Sequence, residues 1–154
     1  MIEFFRLGVA KYRDSLWTGE GGLYVDGRWH QPGRRIIYTA QSLSLAQLEV
    51  LVHIADRRQM PELVCGRGRI PEQVIIQTLE PGVLSGEWRR FAPYSAQTQS
   101  LGSQWLAAAS SAVLKVPSAL SSSEWNFLLN PAHPDFQTLT LQQPEPFAMD
   151  PRVP

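Results

Sequence analysis

Short β-branched and aromatic runs, several of them closed by Pro or Gly and not alternating regularly with helices, constrain this chain more than any other feature. Residues 2–7, 35–40, 73–79, 113–116, 126–129 and 136–141 read as strands. Only two stretches read as helices. One is capped by Ser42 or by Ser44, with Gln47 completing a capping box from Ser44, and runs to about Arg58 before Pro61; the other covers residues 98–110. Residues 8–22 read as a loop, with Gly19, Gly21 and Gly22 at its end. Strands outnumber helices and do not take turns with them, so the expected class is α+β and not a doubly wound α/β sheet. At 154 residues the chain suits a single compact domain, 1–154.

Charge narrows the function. Fourteen Lys plus Arg balance fourteen Asp plus Glu, which leaves no electrostatic footprint for a phosphate backbone, so no direct nucleic-acid binding is expected. The cations are twelve Arg and only two Lys, Lys11 and Lys115; the Arg fork suits phosphate and carboxylate. No apolar run approaches the roughly 18 residues of a spanning helix, and the opening residues lack a signal-peptide layout. A soluble cytoplasmic protein with no membrane contact is the expectation. Cys65 stands alone, and His30, His53 and His133 lack ligand spacing, so no metal site is expected. Residues 91–154 carry six of the 28 formal charges, and a segment so poor in charge reads as more deeply buried or as self-associating.

Three clusters carry chemistry. On a helical wheel with Leu45 at 0°, Leu48, Val52 and Ala55 fall at about −60°, −20° and −80° as a core stripe, with Glu49 at about 40° on its shoulder. A carboxylate there needs a reason: an Arg partner, or a cleft in which it works. His53, one turn on, reads as a structural neighbour. The second cluster is Gly27, Arg28, Trp29 and His30, ten residues ahead of Tyr38; a loop Arg clamps phosphate and an aromatic ring stacks on a base, although Trp29 reads equally as packing. The third is Ser118 after Pro117, followed by Asn130 and His133. Its bland reading is a turn Ser bonding its own backbone. A Ser-His hydrolase lacks the Gly-x-Ser-x-Gly elbow and a third member.

Taken in order, Phe5-Arg6, Gly27-Arg28-Trp29, Gly33 with Tyr38-Thr39-Ala40, Ala46 with Glu49, Gly102 with Trp105, Lys115-Val116-Pro117-Ser118, Asn130-Pro131 with His133-Pro134, and Phe147 with Asp150-Pro151-Arg152 resemble the RES domain family. The family is named for an Arg, a Glu and a Ser, here Arg28, Glu49 and Ser118. Two small departures leave those three intact: His30 stands where Asn is commoner, and Val153 follows Arg152 where Leu is usual.

The resemblance implies an ADP-ribosyltransferase-like fold with a mostly antiparallel split sheet flanked by helices. It implies the toxin of a bacterial type II toxin–antitoxin pair, arresting growth by depleting NAD through hydrolysis or phosphorolysis, with inorganic phosphate as the co-substrate of the latter and no metal. Its partner would be an Xre-type helix-turn-helix antitoxin, with a toxin homodimer inside a larger complex. Some relatives instead ADP-ribosylate a protein, and a non-catalytic antitoxin-binding subunit is the remaining alternative. On this reading Glu49 stabilises positive charge on the ribose, Arg28 and Arg6 bind phosphates, and Tyr38 stacks on nicotinamide. Ser118 bonds a ribose or phosphate oxygen, Gly27 and Trp29 line the NAD site, and Asn130 touches the carboxamide.

Overall fold

A computed structural model describes residues 1–153; Pro154, the last residue of the expected 1–154 domain, lies outside them. Its centre is a curled sheet of eight strands: β1 (Ile2–Val9), β2 (Ile37–Ala40), β3 (Leu63–Ile70), β4 (Ile76–Thr78), β5 (Val113–Pro117), β6 (Trp125–Leu129), β7 (Thr140–Leu141) and β8 (Glu145–Phe147). The order is β4-β5-β6-β2-β1-β3-β7, with β8 also on β3. Every pairing is antiparallel except β4 with β5. The α+β class and the mostly antiparallel sheet expected from the sequence are thus what the chain adopts.

The halves of the sheet meet where β1 faces β2 at one register position, Phe5 opposite Ala40. Beyond it the strands part, and the Arg6 guanidinium fills the gap: its Nη1 donates to the Tyr38 carbonyl at 2.9 Å. A side chain thereby supplies the bond that the backbone ladder no longer makes.

Period-two alternation sorts the strands onto two layers. Phe4, Ile37, Val113, Phe127 and Leu129 pack on one face. Trp29, Trp88, Leu114, Val116 and Leu128 pack on the other beneath Trp105 and Leu106 of α2 (Ala96–Ala108). A third, smaller cluster joins Ala40, Phe5 and Leu7 to Leu45 and Ala46 of α1 (Leu43–Leu51).

β3 is the element the sequence hides. Leu-Val-Cys-Gly-Arg-Gly-Arg-Ile lacks a strand's usual bulk, yet its glycines are spaces for other side chains. A Cβ at Gly68 would come within 2.3 Å of two atoms of the Phe4 ring, the residue directly opposite on β1. Arg67 and Arg69 alternate with the glycines and point out, and the strand pairs along all eight residues of β1. β8 was likewise not foreseen.

Several expected boundaries move. β1 continues to Val9, and two short 3-10 turns, Ala10–Ser15 and Glu20–Leu23, replace the expected loop. The 73–79 strand shortens to β4 because residues 71–74 close a turn, with Val74 N–H on the Pro71 carbonyl. Residues 136–141 are not one strand: a 3-10 turn, Pro134–Thr138, leads into the two-residue β7, and the His133 ring caps that turn through Asp135 N–H.

The first helix ends at Leu51, not near Arg58. The N–H groups of His53 and Ile54 bond to Val50 and Leu51 in a tightened final turn, and Asp56 starts a separate turn by capping Arg58. Its cap is Ser42, which accepts from Leu45 N–H at 3.1 Å, so the Ser44 capping box does not form. The core stripe is also corrected. Leu45 and Ala46 are buried, but Leu48 and Val52 are 43% and 54% exposed and Ala55 is exposed, because the helix touches the sheet along one narrow line beside β1 and β2. Among the described residues no helix is long and apolar enough to cross a membrane.

Candidate active site

Glu49 sits in the last turn of α1, half-buried, and its Oε1 accepts from Asn126 Nδ2 at 3.2 Å. The same amide donates to the Thr39 carbonyl at 3.1 Å, so Asn126 ties β6, β2 and the helix together. Burial pushes the Glu49 carboxyl above the ordinary carboxylate value, while the Asn126 amide, then His53, then Arg28 pull it down. Among the described residues the ion pairs are the amino terminus with Glu72, Arg58 with Asp56, Arg90 with Glu87, and Arg152 with Asp150. Glu49 is in none of them, so the edge Glu neutralised by an Arg is not what the sequence produces.

Arg28 comes from the other side. Its Nη1 donates to the Trp88 carbonyl at 2.9 Å and the Arg90 carbonyl at 2.8 Å, and its guanidinium lies 5.2 Å from the centre of the Tyr94 ring. Part burial lowers its pKa, and Tyr94 and Glu49 oppose that. The expected free phosphate clamp is thus partly engaged: one nitrogen anchors the 88–94 loop, and the remaining N–H groups are the ones left for an anion.

The loop bearing Arg28 is gripped from both sides. The Thr98 hydroxyl donates to the Arg28 carbonyl at 2.6 Å, and Gln99 Nε2 to the Gly27 carbonyl at 3.0 Å. A Cβ at Gly102 would sit 1.7 Å from the Trp29 carbonyl oxygen, so α2 approaches backbone to backbone there. On the opposite side the Tyr38 hydroxyl accepts from Trp29 N–H at 3.1 Å and lies 2.7 Å from His30 Nδ1. A Cβ at Gly27 would meet that hydroxyl at 2.5 Å.

Other residues named from the sequence take supporting places. Tyr38 is held by its hydroxyl beneath the loop, and desolvation raises its pKa far above the phenol value. Trp29 is 2% exposed and packs on Trp88 at 5.9 Å, which makes it core and not a stacking platform. Arg6 spends Nη1 on Tyr38, its Nε is buried without a partner, and desolvation lowers its pKa to about 10; it braces the sheet from below where a phosphate ligand was expected.

Ser118 is fully buried, and its Oγ accepts from Leu120 and Ser121 N–H at 3.0 Å each, the turn reading of this residue. Asn130 is 2% exposed, accepting from Ala132 N–H and donating to the Leu106 carbonyl. Four residues along β6 put it about 13 Å from Asn126, away from Glu49 and short of any carboxamide there.

Sequence reasoning missed Asn126, Phe91 and Tyr94. Phe91 meets Tyr94 edge-on at 5.0 Å and His53 at 5.5 Å, so the 88–94 loop closes over the end of α1. The signal was the run Trp88-Arg89-Arg90-Phe91-Ala92-Pro93-Tyr94, aromatic and basic yet neither strand nor helix. Asn126 gave none, being one polar residue opening an apolar strand. Glu49 and Arg28 lie near enough to feel each other's charge without forming an ion pair, with Tyr94 against the guanidinium, and a carboxylate near a cation is the polarity suited to a substrate with both anionic and developing cationic parts. Among the described residues no group of three or more metal-ligand side chains gathers.

The RES domain family model matches residues 3–150. The chain is 43% identical over 150 residues to "Toxin Res" of Yersinia enterocolitica, covering 97% of each protein. It is 33% identical over 159 residues to "Prs ADP-ribosylating toxin" of a Sphingobium species, covering 97% of this chain and 95% of that one. A crystal structure of the M. tuberculosis MbcT-MbcA toxin-antitoxin complex contains a chain that superposes with a TM-score of 0.74 at 18% identity, over 96% of this chain and 84% of that one, which establishes the fold. With a family model matched almost end to end and relatives at this identity, the chain belongs to the RES domain family.

Proposed function

We propose that this protein is the toxin of a toxin–antitoxin pair and that it consumes NAD by breaking the nicotinamide–ribose bond. The observation that carries the reading is Glu49: a half-buried carboxylate free of any ion pair, oriented by Asn126 and near enough to Arg28 to feel its charge. Nicotinamide leaves as a neutral ring, taking the electrons of the bond to C1′, so no acid is required at the leaving group. Positive charge develops on the ribose. Glu49 offers that charge a fixed counter-charge in a partly desolvated setting. The unengaged N–H groups of Arg28 suit the diphosphate, or an attacking phosphate.

Water as the nucleophile yields ADP-ribose and a proton; phosphate yields ADP-ribose 1″-phosphate. The name of the Sphingobium relative favours a second reading, transfer of the ADP-ribosyl group to a protein nucleophile. The partner on either reading is an Xre-type antitoxin, with a toxin homodimer in the complex and the cytoplasm as the site of action. The neutral charge assigns any operator binding to the antitoxin. A subunit that merely docks its antitoxin is less well supported, because a structural Arg28–Glu49 ion pair, the device it needs, does not form.

The experiment is nicotinamide release from NAD by the purified chain, with and without phosphate. Release in both conditions supports hydrolysis, and release only with phosphate supports phosphorolysis. A folded chain that releases none in either condition, and labels no protein with ADP-ribose, refutes the enzyme.

A further inference from the structure

Phe91 is 58% exposed, yet it is not a scattered surface residue. Its ring packs steeply inclined to those of Tyr94 at 5.0 Å and His53 at 5.5 Å, with interplanar angles of 63° and 74°. His53 lies one helical turn beyond Glu49, so Phe91 stands beside the end of α1 that carries the carboxylate. Tyr94 is fixed in turn by the Arg28 guanidinium at 5.2 Å, and Arg28 Nη1 binds both carbonyls that bracket the loop's first turn, Trp88 and Arg90. One guanidinium therefore anchors the segment that presents the exposed ring. A largely exposed aromatic ring fixed by two neighbours offers π surface to the solvent, and nucleotide bases stack on such surfaces.

We propose that Phe91, backed by Tyr94, is the wall against which the nicotinamide ring of the substrate stacks, and that Arg28 is the positioning residue of that wall. This inference rests on NAD being the substrate. The ring is assigned as nicotinamide, not adenine, because the bond to be broken must lie at Glu49, and Phe91 adjoins Glu49's own helix through His53. Tyr38, part-buried and tied through its hydroxyl, remains the ring the sequence pointed to, and Phe91 adds a more exposed one beside it.

The chemistry predicts where the effect appears. Nicotinamide in NAD is cationic and attracted to an aromatic face. As the bond breaks, the charge moves to the ribose and that attraction fades, so the wall holds the ground state at least as tightly as the transition state. Phe91→Leu is expected to raise KM for NAD about tenfold, within the roughly 5- to 150-fold range of base–aromatic stacking, with kcat within about twofold of wild type. Phe91→Tyr restores KM. Binding of 1-methylnicotinamide, a cation, weakens in Phe91→Leu more than binding of neutral nicotinamide, and binding of AMP is unchanged. Arg28→Met, which lacks the nitrogen that donates to both carbonyls, weakens 1-methylnicotinamide binding although that probe carries no phosphate.

Unchanged KM and unchanged 1-methylnicotinamide binding in Phe91→Leu overturn the wall, as does loss of AMP binding alone. Failure of the underlying reaction is read separately. A wild-type chain that binds NAD in a Phe91-dependent manner but releases no nicotinamide loses the reaction and keeps the wall; one that turns NAD over with Phe91→Leu indistinguishable keeps the reaction and loses the wall.

Discussion

The Tyr38 hydroxyl donates its proton to Nδ1 of His30, and the opposite end of the imidazole fixes that direction. His30 Nε2 lies 2.8 Å from the Val25 carbonyl, which can only accept, so Nε2 carries the ring proton and Nδ1 is a bare acceptor. The phenol oxygen then accepts from Trp29 N–H. One hydroxyl thus satisfies two groups of the loop that carries Arg28, and both belong to residues 3% exposed or less.

Tyr38→Phe tests this lock. It removes a donor to His30 and an acceptor for Trp29 N–H without changing the ring, leaving two buried polar groups unpaired at about 1–3 kcal/mol each at most. A lower denaturation midpoint is expected together with weaker NAD binding, because Arg28 loses its footing. Unaltered stability would show that water or a neighbouring group replaces the hydroxyl and that the lock is not the phenol's.

The same ring makes a pH prediction. Burial holds the His30 pKa below its usual 6.5, ahead of the opposing effects of the Val25 carbonyl and Asp26. The folded state therefore prefers the neutral ring and the unfolded state binds the proton more readily. His30's contribution is complete above pH 6.5 and is lost as pH falls below it toward the lowered folded-state value. Unfolding free energy measured from pH 7.5 down to about 5 should decline more steeply for the wild type than for His30→Asn. Parallel curves would remove His30 as the cause.

Glu49→Gln separates catalysis from stability. Losing a preorganised charge aimed at the developing cation is expected to cost about 10²- to 10³-fold in kcat. Stability moves the other way. A carboxyl whose folded-state pKa is raised is destabilising when ionised, so the variant should gain stability at neutral pH. That gain fades as pH falls through the raised pKa toward the ordinary 4.5, where the wild-type group is protonated in both states. Activity of the wild type should fall over the same window, and a pH profile flat to below 4.5 would mean that the ionised carboxylate is not what the reaction uses.

How much of this was legible beforehand depends on what kind of signal each residue leaves. β5 and β6 announce themselves by short apolar runs, while the second helix, expected over 98–110, begins two residues earlier because Ser95 caps it. β3 leaves no such signal, because its glycines make sense only once Phe4 is opposite Gly68. Glu49 and Arg28 were findable as a carboxylate on a helix shoulder and an Arg after a Gly. Asn126 and Phe91 were not, since what singles them out is the side chain each touches across the fold. Leu48 and Val52 misled because periodicity records which face is apolar, whereas burial depends on what lies against it.

Ser118 supplies the last test, because its place in the family motif invites a ligand-binding role and its surroundings argue for another. Its Oγ organises the turn that leads to Glu124 by accepting from two backbone N–H groups. Glu124 Oε2 accepts from the Ser42 hydroxyl at 2.7 Å, Oε1 accepts from Ser121 at 3.0 Å, and Ser42 caps the helix that carries Glu49. The hydroxyl therefore reaches the site through a loop, a carboxylate and a helix cap. Ser118→Ala strands two N–H groups and should cost about 1–3 kcal/mol of stability, while kcat falls through a displaced Glu49 and KM for NAD changes little. A Ser that bonded the ribose directly would instead raise KM at nearly full stability. Measuring both on one variant distinguishes the two, and unaltered stability with raised KM would return Ser118 to the substrate.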